Sequence, residues 1–169
     1  MVSCSLGRWW RHLTTGSFAR RRAFPEDVLL AVEAAIQHCE RAHPGEIRFA
    51  LDTALSLSEL WRGRSSRECA EDAFANLRVW DTERNDGVLI YVLLADHAVE
   101  IVVDRGVGAG RVPAEQWQAC CVVMQTYFAQ GQFREGAVAG VEAVAAVLAR
   151  YPVNRPDAGN ELLDRPALL

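Results

Sequence analysis

The chain has no lysine: all 18 basic residues among its 169 are arginine. That excludes Schiff-base chemistry on a lysine and a phosphate-binding loop that relies on one. None of the five cysteines, Cys4, Cys39, Cys69, Cys120 and Cys121, sits in a C-x-x-C pair. Their odd number and scattered spacing argue against a disulfide framework or a zinc site, and for buried free thiols in a reducing compartment. No apolar run reaches the roughly 18 residues that a bilayer span needs. The opening MVSCSLGRWWRHLTTG lacks the apolar centre of a signal peptide. The expected location is cytoplasmic, with peripheral membrane contact. G-x-S-x-G, H-E-x-x-H and G-x-G-x-x-G are all missing, and His12, His38, His43 and His97 are scattered. No nucleophile with its base is in view.

Acids are missing from the first 23 positions, which hold five of the arginines, so the remaining 13 arginines face 22 acids. Such a body repels nucleic acid, which is excluded as a partner. The arm is the part suited to an anionic surface. Half of the residues are hydrophobic, enough for one domain with a real core. The expected organisation is a basic arm over 1–23, an α/β domain over 24–151 and a proline-containing tail over 152–169.

Residues 5–14 place Leu6, Trp9, Trp10 and Leu13 at helical spacing, with Arg8, Arg11 and His12 between them. Trp9 and Trp10 are candidate contacts to a partner protein or an anionic membrane; the other reading packs them on the domain. The arginine run at 20–22 reads as a solvated linker. Leu29, Val32 and Ile36 predict a helix over 25–42 that stops before Pro44-Gly45. EIRFALDTAL, 46–55, alternates as a half-buried strand. A loop over 56–64 follows, with Leu57, Leu60 and Trp61 tucked in. Ser65 and Glu68 form a capping box that opens a helix to about Leu77.

GVLIYVLLAD, 87–96, reads as a central strand buried on both faces. HAVEIVVDRG, 97–106, follows across a short joint and makes an antiparallel hairpin, which places Val88 near Asp104. Pro113 opens a helix to about Ala129, and a last helix spans about 133–150. The tail lacks periodicity and reads as poorly ordered, apart from Leu162, Leu163, Leu168 and Leu169, which are free to dock. The fold class is α/β: a small mixed sheet, made of a β-α-β crossover plus an antiparallel hairpin, sandwiched between helices.

TERNDGVLIYVLLADHAVEIVVDRGVGAG, 82–110, has an N-x-G-V-L-I strand, a short turn, a second strand and a D-R-G-x-G exit. With the helix ECAEDAFANLRVW before it and the strand EIRFAL upstream, it resembles the TPM-domain family over roughly 26–150. That family includes a thylakoid-lumen protein of photosystem repair and many bacterial proteins, and the chain reads as a short cytoplasmic-type bacterial member. The resemblance implies an α/β sandwich. It further implies acid phosphatase activity or calcium binding, since some members are described as acid phosphatases and some bind calcium. Members often carry an Asp after the glycine-rich exit. Here the matching stretch is Val112-Pro113-Ala114-Glu115, and Glu115 is the nearest acid.

Two constellations carry candidate chemistry. Asp81, Glu83 and Asp86 share one polar loop, and the hairpin brings Asp104 beside it. Together with Asn85 these carboxylates suit calcium or magnesium, hard cations that take oxygen ligands; the alternative is turn chemistry around Asn-Asp-Gly, with Arg84 and Arg105 as ion-pair partners. Arg105, Gly106, Gly108 and Arg111 are candidates for cradling an anion such as phosphate, and equally make a flexible turn. Combined, they describe a metal-dependent phosphatase acting on phosphomonoesters. The competing and favoured function is a non-catalytic accessory module that binds a protein or membrane-associated partner. Asp52, at the C-terminal edge of the parallel pair, is the remaining candidate.

Overall fold

The computed structural model describes residues 6–41, 45–108, 110–152 and 159–169; Cys4 and His43 lie outside them. Along these residues run α1 (Leu6–Thr14), α2 (Ser17–Ala23), α3 (Glu26–Glu40), β1 (Ile47–Asp52), α4 (Leu57–Trp61), α5 (Ser66–Asn76), β2 (Val88–Leu93), β3 (Ala98–Val103), α6 (Ala114–Phe128), α7 (Phe133–Arg150) and β4 (Ala167–Leu168). The sheet has the order β3-β2-β1-β4. β1 is parallel to β2 and to β4, and β2 is antiparallel to β3. The β1-α5-β2 crossover and the β2-β3 hairpin make the expected mixed α/β sandwich.

The two faces of each strand feed two cores. Ile47, Phe49 and Leu51 of β1, with Val88, Ile90 and Val92 of β2, pack under α3, α6 and α7. The intervening Ala50, Leu89, Tyr91 and Leu93 pack under α4 and α5, with Leu60, Ala70 and Ala73. The period of two along a strand produces this division, and the continuous apolar run of β2 reflects burial on both faces. β1 is buried on both faces too, rather than half-buried, because the second core and the tail cover its polar side.

Several local expectations change. Leu94 to His97 form a four-residue turn, so Val88 pairs with Val103 and Asp104 bonds to Gly87 instead. The segment 56–64 contains α4, opened by a capping box in which Ser56 and Glu59 bond reciprocally. Of its apolar residues only Leu60 is buried, while Leu57 and Trp61 are exposed. The arginine run lies in α2 rather than in a linker. Cys39, Cys69, Cys120 and Cys121 are free and buried, and burial pushes the Cys121 thiol up to about 12, which leaves it unreactive. The tail is not loose over 159–169: it docks beside β1 as β4.

Candidate functional site

The turn before β2 and the exit from β3 meet at one end of the sheet. The Asp104 amide donates to the Gly87 carbonyl at 2.9 Å, and the Gly106 amide to that of Asn85 at 2.7 Å. A Cβ on Gly106 would collide with the Asn85 and Arg84 carbonyls, so glycine is what allows the approach. This juxtaposition sets the main chain of Asp104 beside Gly87, one residue from Asp86. Asp81 and Glu83 are exposed in the same turn, and the Glu83 amide donates to the Glu161 carboxylate at 3.0 Å.

Asp86 is buried and accompanied by the Arg84 guanidinium, 3.9 Å away. Burial pushes its carboxyl above the ordinary range, and Arg84 opposes that. Both carboxylate oxygens of Asp86 and Oδ2 of Asp104 are buried without a hydrogen-bond partner. Among the described residues, no group of three or more His, Cys, Asp or Glu side chains is placed to hold a metal ion.

The glycine-rich exit is closed on itself. The amides of Arg105, Gly106 and Val107 donate to Asp104 Oδ1, the Asn85 carbonyl and the Asp104 carbonyl. Arg105 Nε donates to Asn85 Oδ1 at 2.6 Å, and an Arg111 guanidinium nitrogen to the Gly106 carbonyl at 3.2 Å. Gly108 is buried, and its carbonyl accepts from the amides of Arg111 and Val112. The four candidate anion-binding residues therefore share one loop, whose bonds tie it to itself and to the 82–86 turn.

The opposite end of the parallel pair carries the arm. Asp96, just beyond β2, accepts from Arg8 Nε and from a terminal guanidinium nitrogen at 2.8 Å, and lies 3.0 Å from His12 Nε2. The Leu55 amide donates to His12 Nδ1 at 2.9 Å. Nδ1 thus serves as acceptor, and Nε2 carries the proton toward Asp96. Burial works against ionised Asp96, but the Arg8 and His12 hydrogen bonds outweigh it and hold the carboxyl below the usual range. Arg11 Nε donates to the Ala95 carbonyl.

The arm helix is therefore turned against the usual rule. Its buried residues are Arg8 and His12, while Leu6, Trp10 and Leu13 are 90%, 69% and 62% exposed. Phe18 of α2 is 80% exposed beside exposed Arg21 and Arg22. Trp9 is half-buried and meets Trp61 edge-on at 6.4 Å. Trp10 is thus the outward member of the candidate pair, and Trp9 the inward one. Asp52 is half-buried nearby, accepting from the Tyr91 hydroxyl at 2.8 Å.

A third constellation lies under the tail and was not singled out from sequence. Glu46 and Arg48 are buried and bond to tail backbone. Glu40 accepts from the Ile47 amide, and burial pushes its carboxyl up to about 8. The charges at 46 and 48 mimic a solvent face; the apolar tail residues, foremost Leu162, were the signal that something covers them.

No helix among the described residues is long and apolar enough to cross a membrane. No curated protein matches the chain. The NMR structure of BA42 protein from the psychrophilic bacterium Bizionia argentinensis is similar, with 29% identity over 85% of this chain and 93% of that one, at a TM-score of 0.72. Residues 22–147 match the TPM domain. This stretch holds the crossover, the hairpin, all of α6 and most of α7, and the chain belongs to the TPM-domain family.

Proposed function

We propose that the chain is a non-catalytic binding module that attaches through its arm to a partner protein or to an anionic membrane surface. The observation that carries this reading is the reversed burial of α1. Arg8 and His12 hold the helix to the domain, so the helix presents its apolar stripe outward without having to detach. An exposed row of Leu, Trp and Phe beside arginines is poorly solvated alone and suits an interface rich in negative headgroups. No acid within residues 1–23 opposes that contact.

The test is co-sedimentation of the full chain with vesicles of phosphatidylglycerol and phosphatidylcholine, and with phosphatidylcholine alone. Recovery is expected with the anionic vesicles and is expected to fall at least tenfold in Trp10→Ser with Leu13→Ser. Both sites are exposed, so the fold should persist. Equal recovery of that variant would remove the stripe from membrane attachment.

A second reading, metal-dependent hydrolysis of phosphomonoesters, draws support from the buried oxygens of Asp86 and Asp104 that have no hydrogen-bond partner. A hard cation such as calcium or magnesium suits them, but it needs six to eight oxygens, and these two carboxylates are only part of a set. This reading expects millimolar calcium to raise the melting temperature and Asp104→Asn to cancel the rise. No calcium-dependent shift would count against it.

A further inference from the structure

The family-matched stretch contains β1, β2 and β3 but ends before the tail. Within that stretch β1 is an edge strand, with main-chain groups facing outward. Residues from outside it close this edge. Ala167 and Leu168 pair in parallel with Ala50 and Leu51, and the Leu169 amide donates to the Leu51 carbonyl at 3.0 Å.

Two buried charged side chains beside the edge attend to the backbone of the tail. The Arg48 guanidinium donates to the carbonyls of Leu163 and Arg165. Glu46 Oε2 accepts from the Leu162 amide at 3.0 Å. Burying a guanidinium and a carboxylate is unfavourable unless both are hydrogen-bonded, and here main-chain groups of the tail just before β4 supply the bonds. Side-chain selection is lighter. Leu162 packs half-buried on the second core, and Arg165 meets Glu26 at 2.7 Å. Leu163, Leu168 and Leu169 stay largely exposed.

We propose that the edge of β1, with Arg48 and Glu46, is a strand-addition groove for an extended peptide of another polypeptide, and that residues 160–169 occupy it in cis. Donors and acceptors aimed at a backbone accept any extended chain, and pockets for individual side chains add preference. The preferred peptide carries an apolar residue at the place of Leu162 and a basic one three positions later, opposite Glu26. The tail is a tethered competitor with an effective concentration in the millimolar range for a short linker. A peptide in trans therefore binds when the tail leaves. This groove is separate from the arm and does not depend on the arm's function.

The test uses the full-length protein and a fluorescein-labelled peptide with the sequence of residues 159–169. Leu162→Asp with Arg165→Glu loosens the tail, by setting a carboxylate near Glu46 and like charge against Glu26, and leaves the groove unchanged. This variant is expected to bind the probe at least tenfold more tightly than the wild type. Adding Arg48→Met is expected to weaken that binding at least tenfold. Arg48→Met in an otherwise wild-type chain should speed hydrogen exchange at the Leu162 and Leu169 amides at least tenfold, while β2 and β3 amides stay protected. A dimer that exchanges tails and requires Arg48 would also support the proposal, since a second copy's tail is an extended peptide in trans. If the loosened variant binds the probe no better than the wild type, tail and groove are one inseparable piece of the fold and the proposal fails. Unchanged protection of the Leu162 and Leu169 amides in Arg48→Met overturns it as well.

Discussion

His12 and Asp96, 84 positions apart, meet with Nε2 3.0 Å from Oδ1, and Arg8 approaches the same carboxylate at 2.8 Å. One carboxylate thus anchors two side chains that lie one helical turn apart on α1. Removing one partner of a buried ion pair leaves the other charge uncompensated, at a cost of about 3–5 kcal/mol. Asp96→Asn is expected to release the arm before the domain unfolds. Hydrogen exchange at the Leu55 amide, which donates to His12 Nδ1, should accelerate at least tenfold, while β2 amides hold. The same contact has a pH signature. Because the Asp96 carboxyl is held below its ordinary value of 3.8, its contribution is complete above that value and is lost as the pH falls through the lowered one.

Glu40 has the opposite sign. Burial raises its carboxyl from 4.5 to about 8, with Glu46 and Asp164 adding to the rise. The folded chain therefore holds a proton that the unfolded chain gives up. The contribution of Glu40 to stability is fully present below the unfolded value and declines as pH rises from about 4.5 to about 8. Glu40→Gln should flatten that part of the stability curve. Melting temperatures of the two proteins between pH 5 and 8 would check it: parallel curves would mean that Glu40 is ionised throughout.

Gly106 marks where the β3 exit touches the turn before β2. Gly106→Ala inserts a methyl group against two carbonyl oxygens, and overpacking of this kind costs about 1–3 kcal/mol. A lower urea midpoint with an unchanged slope is expected. An unshifted midpoint would mean that the two loops part without cost.

Tyr91 is fully buried, with its hydroxyl 2.8 Å from Asp52 Oδ2. A hydrogen bond to a charged group contributes about 1.5–3 kcal/mol. Tyr91→Phe is expected to lower the melting temperature by several degrees. It should also raise the Asp52 carboxyl further, since burial already pushes it up and the Tyr91 bond opposes that. Carbon NMR titration of Asp52 reads this second effect directly.

The elements that were legible in sequence are those with strong local signals. The unbroken run at 88–93 forces burial on both faces. The boxes Ser65–Glu68 and, overlooked, Ser56–Glu59 satisfy amides within a single turn. The register of the hairpin missed by one residue because Leu94 joins the turn, and turn length is settled by backbone conformation, with His97 at φ 53.

Sequence alone determined the sandwich and the meeting of the turn before β2 with the exit from β3, because each follows from periodicity or from strands joined by a short turn. Only the tertiary structure decided which face of α1 turns inward, and that residues 160–169 lie along β1. Arg8 with Asp96, and Arg48 with Arg165, are 88 and 117 positions apart. At that separation the gain from desolvating a charge against a specific partner has no trace in the local pattern. Arginine and histidine read as a solvated face until the buried carboxylate that receives them is in place.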